Sequence, residues 1–130
     1  KDTPRRLTST SVVLRLMANL YKNEKVDLTS TDATVVYTTP LQSASISSSA
    51  TAIVKSIIVS EDSNNADTLT LTITNSSGAV FSLFKDQAVT AKQTLELLSQ
   101  PLVLNSGDIL KATAGTADRL HVIVSILEIS

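Results

Sequence analysis

Thr68-Leu69-Thr70-Leu71-Thr72-Ile73-Thr74 decides the fold. Threonine alternates strictly with aliphatic residues, so an extended chain carries Leu69, Leu71 and Ile73 on one face and four hydroxyls on the other. The segment reads as a strand with one wet face. It runs into Asn75-Ser76-Ser77-Gly78, residues that accept turn geometry and left-handed backbone angles, and residues 79–84 resume an extended pattern. The two together predict a β-hairpin.

On the N-terminal side, Thr51-Ala52-Ile53-Val54-Lys55-Ser56-Ile57-Ile58-Val59-Ser60 is rich in β-branched residues with apolar side chains at both parities. That pattern predicts a strand covered on both sides, by the core and by a neighbour. Residues 61–67 are polar and read as an exposed loop. On the C-terminal side, residues 94–98 and 102–104 are strand-like, separated by Pro101, which cannot donate to a ladder. Asn105-Ser106-Gly107 turns the chain into a strand over 108–114. In the last segment, Leu120, Val122, Val124 and Ile126 share one side, with Ile123, Leu127 and Ile129 on the other, as an interior strand requires. Residues 25–28 and 33–38 read as a strand pair across Thr29-Ser30-Thr31-Asp32. About eight short strands at intervals of about 10–12 residues predict an all-β fold, a jelly-roll-like β-sandwich. The one helix candidate is residues 12–20, where Val13, Leu16, Met17 and Leu20 share a helical face; an extended arm is the other reading.

At 130 residues the chain suits one domain, and its core must be aliphatic: hydrophobic residues make up 42% of the chain but aromatic ones only 3%. The few rings, Tyr21, Tyr37, Phe81 and Phe84, argue against stacking platforms for single-stranded nucleic acid or sugars. A formal net charge of −1 is too small to draw the molecule onto DNA or an anionic membrane. No apolar run approaches the roughly 20 residues needed to span a bilayer, and no signal-peptide pattern opens the chain, so a soluble protein is expected. The charge is unevenly spread. Residues 1–16 carry Lys1, Arg5, Arg6 and Arg15 against Asp2, leaving the remainder net acidic. A basic arm (1–16) on an acidic body (17–130) can dock on an acidic neighbour, including another copy; a solvated leader is the alternative.

Few residues suit catalysis or metal binding. The sole histidine, His121, lies inside the final strand, without a G-x-S-x-G turn anywhere. With no cysteine there is neither a disulfide nor a thiolate metal site. Asp62, Asn64 and Asp67 lack the spacing of an EF-hand. Glu61, Glu96, Asp108 and Glu128 are carboxylates that could meet in space, but nothing nominates a catalytic pair. Gly78, Gly107 and Gly115 lie far apart and each suits a turn. The expectation is a protein without catalytic, cofactor or metal residues. What stands out is a surplus of apolar residues: Val54 and Ile58 at one parity, Ile53, Ile57 and Val59 at the other. Either both sets lie inside the monomer, or one forms a subunit contact.

Three stretches, VVYTTP (35–40), TAIVKSIIVSEDSNNADTLTLTI (51–73) and TLELLSQPLVLNSGDILKATAGTADRLHVIVSILEI (94–129), carry a resemblance. With their Y-T-x-P, I-V-x-S-I-x-V, GD-x-L and V-S-x-L-E patterns, they resemble small virion structural proteins of tailed bacteriophages. The resemblance covers residues 17–130. It implies a non-enzymatic β-sandwich present in many copies on a virion, as a head decoration (cement) protein, or as a tail, neck or fibre component that could bind a receptor or glycan through residues 61–67 and 115–118. It implies as partners other copies of the chain, trimers being common among such proteins, and virion proteins such as the major capsid protein. From the small net charge, neither nucleic acid nor a membrane is expected as a partner. Met17-Ala18-Asn19 looks like a translation start, which leaves residues 1–16 as an arm, a start-site artefact or a precursor remnant. The residues expected at subunit contacts are Arg5, Arg6, Val12, Val13, Leu14 and Leu16 of the arm, together with Ile53 and Ile57.

Overall fold

An aliphatic core can be closed only if every strand keeps one face turned inward along its whole length, and the strand pairings serve that requirement. The computed structural model describes residues 19–41 and 50–129. Among the described residues nine strands form: β1 (Asn19–Asp27), β2 (Thr34–Thr38), β3 (Thr51–Glu61), β4 (Asp67–Thr74), β5 (Val80–Val89), β6 (Thr94–Glu96), β7 (Leu102–Leu104), β8 (Ile109–Ala114) and β9 (Leu120–Ile129). No helix occurs among the described residues. Sheet A has the order β1-β9-β3-β6, with β7 also paired to β3, and sheet B the order β2-β8-β4-β5. All pairings are antiparallel. Outer strands of the sequence pair with each other and enclose inner ones: β1 with β9, β2 with β8, β3 with β6 and β7, β4 with β5. This nesting gives the β-sandwich a topology compatible with a jelly roll.

The two sheets meet over one core. Leu69, Leu71, Leu110 and Ala112 from sheet B lie in the same buried cluster as Val54, Ile57, Val59, Val122 and Val124 from sheet A. The threonine-alternating strand is β4, with Leu69 and Leu71 fully enclosed. Its hairpin to β5 is closed by Asn75, whose Oδ1 accepts from the N–H groups of Ser77 and Ala79 at 3.1 and 2.9 Å, while Gly78 takes φ +92°. β9 lies in the middle of sheet A, between β1 and β3, with Leu120, Val122, Val124 and Ile126 inward.

The helix candidate over 12–20 is a strand where it is described, since Asn19 and Leu20 open β1; the rest of it and the arm (1–16) lie outside the described residues. The expected pairing of residues 25–28 with 33–38 does not form. β1 pairs with β9 and β2 with β8, in different sheets, because the turn between them carries the chain across the core. Leu28, fully buried, pins that crossing through its N–H to Leu120 O at 3.0 Å.

β3 corrects a second expectation. Its register against β9 shifts between Val54 and Ser56, a β-bulge at Lys55. Ala52 and Val54 point inward before the bulge, and Ile57, Val59 and Glu61 after it. The apolar residues at both parities therefore belong largely to one inward face that changes phase at the bulge.

The bulge leaves backbone groups to satisfy on the opposite edge of β3. Partner strands there are interrupted: β7 pairs with Ala52, Ile53 and Val54, β6 with Ile58, Val59 and Ser60. Glu96 fills the gap. Its carboxylate accepts from Ile57 N–H at 2.8 Å, from Leu98 N–H at 3.2 Å and from the Ser56 hydroxyl, while Leu97 N–H donates to Ile57 O at 2.8 Å. Burial opposes the charged form of Glu96, but the donors from Ser56 and the backbone outweigh it and hold the carboxyl below its ordinary range.

At the end of β2, the Y-T-x-P segment pairs with the GD turn. Thr39 N–H donates to Asp108 O at 2.9 Å, and Gly107 N–H returns to Thr39 O at 3.2 Å. Gly107 has φ +84°, and a Cβ there would lie 2.8 Å from Leu41 Cδ2 and 3.0 Å from Ser76 Cβ. Gly78 has the same backbone requirement and open space around it.

Two stability predictions follow from these contacts. Glu96→Ala strips an acceptor from the Ile57 N–H and is expected to cost about 1–3 kcal/mol, read as a lowered urea midpoint. Gly107→Ala is expected to lower the midpoint more than Gly78→Ala, since both meet a left-handed backbone but only the first also meets Leu41 and Ser76.

Candidate functional site

The polar groups that sequence reasoning singled out for chemistry are spent on holding strands. Of the four carboxylates, none takes another as partner. Glu96 seals the β3 bulge. Asp108 Oδ2 accepts from Asn105 N–H at 2.9 Å within its turn. Glu128, on β9, accepts the Tyr37 hydroxyl of β2 and lies 3.4 Å from Lys22 Nζ of β1. Lys22 also reaches Glu24 at 3.2 Å and lies over the Tyr37 ring, 5.5 Å from its centroid. This group clasps sheet A to sheet B. Burial first, then the hydrogen bond to Glu128, push the Tyr37 hydroxyl above its ordinary range. Burial tends to lower the Lys22 ammonium, but Glu24 and Glu128 reverse that and leave it raised.

Glu61 was expected in an exposed loop. Instead it ends β3 with its side chain inward, 2% exposed. Its carboxylate accepts from Ser63 N–H at 2.8 Å, from the Ser63 hydroxyl and from Lys92 N–H at 2.8 Å, so it ties the β3–β4 loop to the β5–β6 turn. Burial raises its pKa, and the donors from Ser63, Lys92 and Asn65 overcome that to set it at about 2. Sequence could not flag this acceptor, because the β3 bulge decides which parity faces inward.

His121 projects from the outward side of β9 between two carboxylates, with Nε2 3.3 Å from Asp27 and Nδ1 3.5 Å from Asp62. Both ring nitrogens are faced by acids on neighbouring elements, an arrangement that orients the ring without leaving a nitrogen directed at a nucleophile. The residues considered for a hard cation diverge: Asp62 faces His121, whereas Asp67 Oδ2 accepts from Thr116 N–H at 3.1 Å. Among the described residues, no group of three or more His, Cys, Asp or Glu is placed to hold a metal ion. No helix there is long and apolar enough to cross a membrane.

The loops expected to carry specificity do meet. Beyond the Asp67–Thr116 bond, Gly115 N–H donates to Thr68 O at 2.9 Å and an Arg119 guanidinium nitrogen donates to Ala66 O at 2.8 Å. These bonds join residues 66–68 to residues 115–119 at one end of the sandwich.

Of the expected contact residues, Ile57 is fully buried; its side chain packs within the monomer, since the bulge turns it inward. Ile53 lies on the opposite, outward face of sheet A, half-buried. It belongs to an apolar row that sequence reasoning missed. Cross-strand pairing aligns Tyr21 with Leu127, Leu127 with Ile53, and Ile53 with Val103, on β1, β9, β3 and β7 in turn. Tyr21 is 73% and Val103 57% exposed. The row needs the strand order, which places β1 and β7 on either side of β9 and β3. Arg5, Arg6, Val12, Val13, Leu14 and Leu16 lie outside the described residues.

Among solved structures, the chain is similar to a subunit of Bacillus endospore appendages, described as a novel family of disulfide-linked pili. The TM-score is 0.50 at 9% identity, covering 87% of this chain and 88% of that one. It also matches a pentameric capsid protein isolated from metagenomic phage sequences, with TM-score 0.41, 18% identity and coverage of 84% of this chain and 61% of that one. A third match is to infectious bursal disease virus, Gx strain, at TM-score 0.41 and 9% identity, where 85% of this chain aligns with 28% of the viral chain. No protein-family model and no curated protein matches. The likeness to the appendage subunit is one of fold.

The Glu61 contacts predict an acid limb. A carboxyl held at about 2 when folded, against an ordinary value of 4.5, contributes stability that is fully present above the ordinary value and disappears as pH falls toward 2. Urea midpoints measured from pH 7 down to pH 2 are expected to drop across that window, and Glu61→Gln is expected to be weaker at neutral pH with a shallower drop.

Proposed function

We propose that the chain is a non-enzymatic structural subunit of a phage particle, most suited to a capsid decoration (cement) protein that stabilises the head through multivalent contacts. The observation that carries this reading is the apolar row Tyr21, Leu127, Ile53 and Val103 across the outward face of sheet A. It is a surface for burial against another protein, on a domain where Glu61, Glu96, Asp108, Glu128 and His121 are engaged in its own fold. The resemblance of residues 17–130 to tailed-phage virion proteins supports the location. A decoration subunit acts by adding many such contacts between neighbouring capsid proteins, each weak and collectively strong. The basic arm, through Arg5, Arg6 and the apolar residues Val12, Val13, Leu14 and Leu16, would supply a second contact to an adjacent subunit.

A second reading, a tail or fibre module that binds a receptor or glycan, draws on the joined loops 61–67 and 115–119.

Copy number separates these readings. Quantification against the major capsid protein in purified particles is expected to give a stoichiometry of hundreds per particle; a handful would move the protein to the tail, and absence from particles would overturn the assignment. Ile53→Lys, on the outward face, and deletion of residues 1–16 are each expected to lower occupancy without unfolding the domain.

A further inference from the structure

Among the described strands the two sheets have four edges, and three of them are poorly suited to receive another strand. The β6/β7 edge is broken into two three-residue pieces. β2 has five residues and a register shift between Val35 and Tyr37. β5 is bulged against β4 and carries Asp86 at φ +51°. β1 differs. Its nine residues run in unbroken register along β9, from Asn19 opposite Ile129 to Asp27 opposite His121, and β9 is its only partner among the described strands. A regular edge presents a row of unpaired N–H and C=O groups that invites strand addition.

The charges on β1 restrict what can be added. Lys22 and Glu24 are on the face turned toward the core, half-exposed at the edge and 3.2 Å apart. An apolar strand laid alongside would take water from both and add no new partner for either charge. A fitting partner needs opposite charges at those positions, and β1 itself meets that condition.

We propose that two copies of this chain pair antiparallel through β1, about a two-fold axis at Asn23. Asn23 is the midpoint of Asn19–Asp27, so this register uses the whole strand. It sets Lys22 opposite Glu24 of the second copy and the reverse, Leu20 opposite Val26, Tyr21 opposite Lys25, and Asn19 opposite Asp27. Inward residues meet inward residues and outward meet outward, as a continuous sheet demands. Registers shifted by one residue reverse the faces. Centring on Lys22 or Glu24 sets like charges opposite each other, Lys22 on Lys22 or Glu24 on Glu24; centring on Tyr21 or Lys25 leaves Lys22 or Glu24 opposite an apolar residue. The Asn23 register alone is complementary throughout, with each attractive pair counted twice by the symmetry. The pairing does not depend on the particle assignment.

The full chain supplies the test, since it contains no cysteine of its own. Directly opposed residues in an antiparallel pair have Cα atoms about 4.5–5.5 Å apart, within disulfide range. Asn23→Cys is therefore expected to form a covalent dimer under mild oxidation. Asn19→Cys and Asp27→Cys are expected to do so only when mixed with each other. Sedimentation of the unmodified chain should show a reversible dimer, weakened about tenfold or more in Glu24→Lys, where two attractive pairs become repulsive. Concentration-dependent protection of the β1 amides in hydrogen exchange should accompany it. A chain that stays monomeric up to near-millimolar concentration overturns the proposal. So does Asn23→Cys crosslinking no faster than Asn19→Cys alone, or β1 amides protected equally at all dilutions, which would mean that another segment of the same chain covers the edge.

Discussion

The constraint on which the structure depends is that its aliphatic core closes by side-chain parity alone. There is no disulfide and no tryptophan to anchor the sheets, so the core rests on the Leu, Ile, Val and Ala side chains that share the inward faces. A strand that is one residue out of phase would expose its whole apolar set. β3, the longest strand, does not keep one phase against β9 along its whole length. It takes up the mismatch in one bulge, and Glu96 satisfies the backbone that the bulge exposes.

Much of the fold was legible because the period-2 signal is local. β4 and β9 show it cleanly, and the Asn75–Gly78 turn names its own geometry. What failed was non-local. The pairing of β1 with β9 joins residues about a hundred positions apart, and adjacency in sequence suggested β2 instead. The parity of Ile57 depended on a bulge that Lys55 does not announce, since a lysine suits the exposed face of a regular strand equally well. Glu61 followed the same bulge inward. Ile53 was legible as surplus apolar surface, but its row with Tyr21, Leu127 and Val103 exists only once four strands are laid side by side.

The motif residues behind the resemblance carry structural roles. Tyr37 and Glu128 clasp the two sheets, Ser56 binds Glu96 at the bulge, and the GD turn packs on the Y-T-x-P segment. They report how the sandwich is closed, and fold does not by itself specify function. The outward face of sheet A and the joined loops are therefore where members of such a fold are free to differ.

The interrupted β6/β7 edge bears on how far sheet A can extend. Pro101 has no N–H to offer, the two pieces are three residues each, and the carboxylate of Glu96 already occupies the donors between them. A strand arriving from outside finds no continuous ladder there. Among the described strands, growth through sheet A is open on the β1 side alone, and a symmetric pair uses that side up. Pairing of this kind ends in a closed unit and does not propagate into a ribbon or a fibre.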